Sequence, residues 1–447
     1  MGAAKKKIAR HAEASADFLV WRPGVRPHLP EEAPAADDDR LPQALAGEFA
    51  ELLRGEEFMA AYRRRVGGLE RFSVLAARSD PPAADDPETL AASWRAAARG
   101  LDRIARAADG FWGIPAPGIL AAVFPGQEAP QVLEGGRRWQ KKLRAGGHLT
   151  ATAGVAGFPC DGFAREEIVA NAVKALAHAA FFGPNSRVVF DAVSLNISAD
   201  ACFDRGDLAG AIREFERALA LDPDCANVHN SLGVCHGVRG DYDRALAEFT
   251  AASRLDAGDH MSVYNIGLVH WLTGDREAAL ACFERANAIK PNLGDILFQL
   301  GRLLLELGRP GEARAFLESA ARSRSRRRGV HRYLGDCYAA LGLAAKAIAA
   351  YQKAVRFNAA DAHALCALGG LFEARGENLD IALVFCRESV QLAPHEARFR
   401  SRLARVLLRL GRLEEALAEL EHAERLGAEA AAEIRGVRER LAGREPT

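Results

Sequence analysis

The chain has 447 residues, room for more than one domain, and its 59 Lys and Arg balance 59 Asp and Glu to a formal net charge of zero. That balance argues against a general nucleic-acid binder, because no surplus of cations is available to displace counterions. No stretch approaches the roughly 18 uninterrupted apolar residues of a membrane span, and the basic start at Lys5-Lys6-Lys7 has no apolar core behind it, which speaks against a secretory signal.

Residues 1–40 mix prolines with acids, as in Pro30-Glu31-Glu32-Ala33-Pro34 and Asp37-Asp38-Asp39, and show no sustained period. They are expected to be a mobile leader. From Leu41 to Glu70 apolar residues return at helical spacing, with Leu45, Phe49, Leu52, Leu53, Phe58 and Tyr62. Beyond it the pattern alternates. Phe72 to Ala76 reads as a strand, Pro87 to Ala108 as a helix, and Phe111–Ile114 with Ile119–Phe124 as a hairpin around Pro115-Ala116-Pro117-Gly118. A helix over Gln131–Arg144, a strand over Leu149–Phe158, a helix over Arg165–Ala180 and a strand over Arg187–Val193 follow. This order predicts an α+β domain over residues 41–191, a βαββαβ-type sheet of the split βαβ kind with helices on one face.

Within that region, Thr150-Ala151-Thr152-Ala153-Gly154-Val155-Ala156-Gly157-Phe158-Pro159, then Asp161-Gly162, Ala172-Val173-Lys174-Ala175-Leu176 and Gly183-Pro184-Asn185 resemble the carboxyl half of a GGDEF-type diguanylate cyclase domain. Phe72-Ser73-Val74-Leu75 and the hairpin ending Val123-Phe124-Pro125-Gly126 fit the rest of that fold. Members of the family join two GTP molecules into cyclic di-GMP, with acids on the first strand and the hairpin holding divalent metal. Here the hairpin tip, Ala116-Pro117-Gly118-Ile119-Leu120, has no carboxylate, and Arg78 stands where a metal-binding aspartate is expected, with Asp80 two residues on. The resemblance implies a degenerate domain with no catalysis, metal or cofactor, since a cation in place of a ligand repels the ion. Arg106-Ala107-Ala108-Asp109 lies about as far ahead of the tip as the family's inhibitory R-x-x-D motif. Arg106 and Asp109 are therefore candidate nucleotide-binding residues; the competing reading is a helix-end salt bridge or solvated charge.

From Ala192 the chain repeats a helical hairpin about every 34 residues, a period characteristic of stacked repeats. One small-residue row is Ala211, Ala245, Ala279, Ala313, Ala347, Ala382 and Ala416; a second is Ala218, Ala252, Ala286, Ala320, Ala354, Ser389 and Ala423. Between them stand Phe215, Phe249, Phe283, Leu317, Tyr351, Cys386 and Leu420, on the same helix face. Glycines at 233, 267, 301, 335 and 369 mark close approach of the first helix to the second, and glycines at 206, 240, 274, 308, 342, 376 and 411 end the first helix. Pro223, Pro291 and Pro394 stop second helices. This pattern resembles the tetratricopeptide repeat, and predicts an all-α solenoid of seven repeats over residues 192–427, closed by a capping helix and tail over 428–447 with Ile434, Val437 and Leu441 inward. Unit six carries one extra residue in Gly376-Glu377-Asn378, and unit four ends in Arg322, Arg324, Arg326, Arg327 and Arg328, a solvated helix end or a docking patch for an acidic partner. The strand at Arg187–Val193 runs almost directly into the first repeat helix, which predicts a rigid join.

The resemblance implies that first helices line a concave groove for a protein or peptide. The candidate partner-binding residues are Asn227 and Asn230 in unit two, Tyr264, Asn265 and Trp271 in unit three, and Phe298 and Arg302 in unit four. A clamp for a terminal carboxylate is incomplete: Asn265 lacks its basic companions, and Arg398 and Arg402 follow Ala367 instead of an asparagine. Cys202, Cys235, Cys337 and Cys366 lie inside repeat helices and no pair has C-x-x-C spacing, which fits a reducing cytoplasm; abundant Ala and Arg suggest a bacterial source. The histidines lie at no metal-ligand spacing, and P-loop, G-x-S-x-G and H-E-x-x-H motifs are absent. The expectation is a cytoplasmic, non-catalytic scaffold that binds a partner protein; the alternative is a cyclic di-GMP or GTP receptor whose degenerate domain regulates partner binding.

Overall fold

The computed structural model describes residue 45 and residues 47–49, 52–80, 87–146, 149–323, 329–376 and 378–443. The expected leader, the arginines at 324 and 326–328, and the extra turn residue Glu377 lie outside the described residues. The chain divides into two compact units, residues 1–265 and 266–447.

The first unit opens with β1 (Leu53–Arg54), α1 (Gly55–Val66), β2 (Phe72–Ser79), α2 (Pro87–Arg106), β3 (Phe111–Ala116), β4 (Ile119–Pro125), α3 (Ala129–Ala145), β5 (Ala151–Phe158), α4 (Ile168–Ala180) and β6 (Arg187–Val189). The strands form one sheet in the order β1-β3-β4-β2-β5-β6. The inner four are antiparallel to their neighbours, and β1 and β6 add in parallel at the edges. With α2 and α3 as crossovers, the inner strands realise the expected βαββαβ order.

Three local expectations need correction. The helical period over Leu41–Glu70 breaks at Leu53–Arg54, which pair with Gly113 and Ile114. Gly113 permits this pairing, because a Cβ there would lie 2.5 Å from the Leu53 carbonyl oxygen. The helix then starts at Gly55, whose φ of +48° suits glycine. Second, helices cover both faces of the sheet. Val74 and Ala76 pack with Phe58, Tyr62, Ile168 and Ala172, whereas Leu75 and Ala77 pack with Trp94, Leu101 and Trp139. The run Phe72-Ser73-Val74-Leu75-Ala76-Ala77 lacks the polar alternation of a half-solvated strand, and its one polar member, Ser73, donates its hydroxyl to the Gln127 carbonyl at 2.9 Å. Third, the last strand ends at Val189, because Asp191 caps the helix that follows and accepts from the Ser194 N–H at 2.9 Å.

That helix, α5 (Ala192–Asp204), begins the repeats; α6 (Leu208–Leu221), α7 (Ala226–Arg239) and α8 (Tyr242–Leu255) follow in the same unit, and α9 (His260–Thr273) spans the border. The first repeat shares the core of the sheet region: Phe163, Ile168, Val169 and Leu176 pack in one cluster with Leu195, Ile212 and Phe215. Polar contacts tie the same join. Lys174 Nζ lies 2.7 Å from Glu214, both about 17% exposed, and Arg217 bonds Glu167 at 2.7 Å while its guanidinium covers the Phe163 ring at 3.9 Å. Glu214→Ala would leave a half-buried ammonium without its carboxylate. It is expected to cost on the order of 1–3 kcal/mol, read as a lowered denaturation midpoint, and an unchanged midpoint would show that water replaces the contact.

The second unit holds α10 (Arg276–Ile289), α11 (Gly294–Glu306), α12 (Pro310–Arg322), α13 (Val330–Ala340), α14 (Ala344–Phe357), α15 (Ala362–Arg375), α16 (Leu379–Leu392), α17 (Ala397–Arg409), α18 (Leu413–Arg425) and α19 (Ala431–Ala442). The small-residue row is fully inside, with Ala279, Ala313, Ala347, Ala382 and Ala416 at 0% exposure. Close approach of paired helices is real: a Cβ at Gly301 would lie 2.4 Å from Leu317 Cγ, so the bulky residue of the second helix occupies that space. The closing helix α19 buries Ile434 and Val437 against Leu413 and Leu420, which gives the array an apolar-sided end piece.

Candidate protein-interaction surface

Within each unit a first helix packs against its own second helix and against the second helix of the repeat before it, with smaller contacts to neighbouring first helices. Side chains left over from these contacts are the ones available to a partner. Asn230, Tyr264, Asn265 and Phe298 are not among them, being 1%, 0%, 0% and 4% exposed. Asn265 Nδ2 donates to Asn230 Oδ1 at 3.0 Å, so adjacent first helices are joined by an amide ladder where recognition side chains were expected. A buried amide pair satisfies its own polar groups and supports the face instead of touching a ligand. Asn227 is half-buried, with its Oδ1 shielded from solvent.

In the second unit Trp271, Phe298 and Arg302 converge. The Arg302 guanidinium lies 4.1 Å over the Trp271 ring and 5.7 Å from that of Tyr333, and Phe298 meets Tyr333 edge-on at 5.4 Å. Glu306 accepts from Trp271 Nε1 at 2.9 Å and lies 3.5 Å from Arg302. The result is a partly open aromatic and cationic platform, pre-ordered before any ligand arrives. Sequence reasoning missed Tyr333 and Glu306. The repeat period held the signal for Tyr333, since it stands at the same place in its unit as Asn265 and Gln299 do in theirs.

Further along, α17 buries Phe399, Leu403, Val406 and Leu407 and carries Arg398, Arg402, Arg405 and Arg409 on another face, at helical spacings of four, three and four. Arg402 lies against α15, where a Cβ at Gly370 would come within 2.6 Å of its guanidinium. Between these features stands Asp336, whose carboxylate accepts from Tyr351 Oη at 2.6 Å. Burial pushes the Asp336 carboxyl upward in pKa, only partly offset by that hydrogen bond. The folded chain therefore holds this proton more tightly than the unfolded chain. The associated stability is full below the ordinary aspartate value of 3.8 and is lost as pH rises through the folded value. Asp336→Asn keeps an acceptor for Tyr351 and is expected to raise the melting temperature at neutral pH, with the gain shrinking as pH falls toward 3.8. A variant less stable at neutral pH would show that the charged form is the one the fold prefers.

The sheet region holds the other predicted pair. Arg106 is at the end of α2 and its Nε donates to Asp102 at 2.7 Å, a carboxylate that also accepts from Trp112 Nε1 at 2.7 Å. Asp109 is exposed in the turn that follows, at φ +53°. A groove of about 850 Å³ between α2 and α3 is lined by Arg103, Arg138, Lys141 and Lys142. Among the described residues no group of three or more His, Cys, Asp or Glu is placed to hold a metal, and no helix is long and apolar enough to cross a membrane.

The paired helices, their packing glycines and the apolar end helix define a helical-repeat interaction protein. A family model described as tetratricopeptide repeat matches residues 198–260, 236–293 and 298–363, and a second of the same description matches 376–441, together just over half of the chain. The chain belongs to the tetratricopeptide-repeat family. Solved structures similar to it include YrrB, titled a TPR protein with an unusual peptide-binding site, at 20% identity over 41% of this chain and 95% of that one, with a TM-score of 0.38. Pseudomonas aeruginosa pilF matches at 18% identity over 47% and 95%, TM-score 0.43, and a tetratricopeptide repeat protein from Parabacteroides merdae at 16% over 55% and 96%, TM-score 0.41. Among curated proteins there is no significant match.

Proposed function

We propose that this chain is a non-catalytic, cytoplasmic scaffold that holds a partner protein or peptide against the first helices of its repeats. The observation behind this reading is the row of partly open first-helix side chains in the second unit, Trp271, Arg302 and the α17 arginines, on a repeat fold whose members bind proteins. The sheet region is a degenerate cyclase-like domain in this reading. Its hairpin turn at Pro117-Gly118 carries no acid, and both oxygens of Asp80 are engaged, by Thr152 Oγ1 at 2.6 Å and by the Asn185 N–H at 2.8 Å. Asp80 thus ties the turn before β6 to the end of the sheet, a structural task that competes with metal binding. Nucleotide recognition through Arg106 and Asp109 is less favoured, because Asp102 already holds the arginine.

Affinity capture with the full chain tests the scaffold reading. The variant Trp271→Ala/Arg398→Ala is expected to lose the captured proteins, whereas Ile381→Ala/Val384→Ala, on an exposed second-helix face, is expected to keep them. The opposite pattern would move the binding surface to the second helices and end the proposal.

A further inference from the structure

The cations of α2 and α3 divide by the side of the helix they occupy. Arg106 pairs with Asp102 and Arg137 with Glu134, and neither arginine lines the groove between the two helices. Arg103, Arg138, Lys141 and Lys142 do line it, are exposed, and take part in no ion pair or hydrogen bond among the described residues. A fifth lining cation, Arg99, is held by Glu48, with Nη2 3.0 Å from its carboxylate. No Asp or Glu is among the described residues that line the groove. In a chain of zero net charge this is a cavity of about 850 Å³ with cations on both walls and no acid, of a size ordinary for a small-molecule site.

Its two ends differ. α2 follows β2 and α3 follows β4, which is antiparallel to β2, so the helices run in opposite senses. They meet at Gly100, where a Cβ would lie 2.5 Å from Trp139 Nε1. Arg103 and Arg138 stand within one turn of this meeting, and Lys141 and Lys142 follow on α3. Farther along α2, beside the start of α3, the lining is Ile104, Ala107, Ala108, Val132 and Phe124, with only the neutral amides of Gln127 and Gln131 as polar side chains.

We propose that this groove binds a single aliphatic chain with a phosphate head, the chain over Ile104, Ala107 and Ala108 and the phosphate among Arg103, Arg138 and Lys142. Four unpaired cations suit a doubly charged phosphate better than a single carboxylate. The lining rings are not open to stack on a nucleobase, since Trp139 and Phe124 are 2% and 4% exposed. A guanine edge would also lack a carboxylate, because Asp102 is turned to Arg106 and Trp112. An aliphatic chain needs neither ring nor acceptor, only apolar area removed from water. The site belongs to the sheet region alone, so its failure would leave the scaffold reading untouched.

Isothermal titration calorimetry of the full chain with octyl phosphate, below its micelle concentration, tests the assignment. One saturable site is expected, at least about tenfold tighter than for inorganic phosphate or for octyltrimethylammonium. Arg103→Glu/Arg138→Glu is expected to weaken it at least about tenfold, and Ala107→Trp, which fills the apolar end, is also expected to weaken it. The control Arg137→Glu/Arg144→Glu, an equal charge change on α3 outside the groove, is expected to bind as the parent does. All five positions are exposed, so the variants are expected to melt as the parent does and a folding defect does not decide the outcome. Equal loss in both charge variants would overturn the proposal as a general charge effect. Inorganic phosphate binding as tightly as octyl phosphate would overturn it by removing the chain. Tighter binding of cyclic di-GMP at the same site would overturn it in favour of a nucleotide, and absence of any saturable binding of octyl phosphate would end it.

Discussion

Gly154→Val is expected to prevent the first unit from folding, with loss of its cooperative unfolding transition in circular dichroism. Gly154 sits in β5 beneath α4, and a Cβ at that position would fall 2.0 Å from the Leu176 amide nitrogen, 2.3 Å from the Ala172 carbonyl oxygen and 2.5 Å from the Ala175 carbonyl carbon. These are backbone atoms in a hydrogen-bonded helix, so no side-chain rotamer can relieve the overlap. Helix and strand must part, and overpacking of a core typically costs about 1–3 kcal/mol even where side chains can move. Here the cost should exceed that range, a large share of a domain's stability of about 5–15 kcal/mol. Gly154→Ala should show most of the same defect. A folded alanine variant within about 1 kcal/mol of the parent would mean that α4 can ride higher on the sheet than its packing indicates.

The second large effect concerns where the chain can be cut. A fragment of residues 1–191 ends where the sheet region ends, yet Phe163, Ile168, Val169 and Leu176 would lose Leu195, Ile212 and Phe215, which share their cluster. Burying three such side chains contributes about 5 kcal/mol or more, and the fragment also lacks Glu214 and Arg217. It is expected to aggregate or to unfold without a sharp transition. A fragment of residues 1–257 keeps the whole cluster, and is expected to be monodisperse with a cooperative melt. Should both fragments behave alike in light scattering and thermal denaturation, the shared core contributes little. The consequence for function is direct: a first repeat built into the sheet region gives that end of the array a fixed base, not a tether.

How much of this could be read without coordinates differs between the two parts. The repeat rows were legible because each unit poses the same packing problem, so Ala279, Ala313 and Ala347 answer it identically, and Gly274, Gly308 and Gly342 end first helices at φ of +96°, +71° and +72°. Tyr264, Asn265 and Phe298 were misread as open positions for the opposite reason. Helical spacing tells which residues share a side of one helix, but neighbouring first helices cover part of that side, and their approach is a property of the stack.

The sheet region shows the same division. Strand and helix order followed from local periodicity, whereas the apolar run Phe72–Ala77 was not read as a strand covered on both faces. That helices cover both faces, that Leu53–Arg54 leave a helical pattern to pair with β3, and that the first repeat completes the core were settled by contacts between residues far apart in the chain. Sequence alone determined the family and the small-residue seams of its hairpins, since these depend on the repeated local geometry of each hairpin. Only the tertiary structure decided which first-helix side chains stay exposed and which are covered, because exposure depends on what distant segments bring alongside.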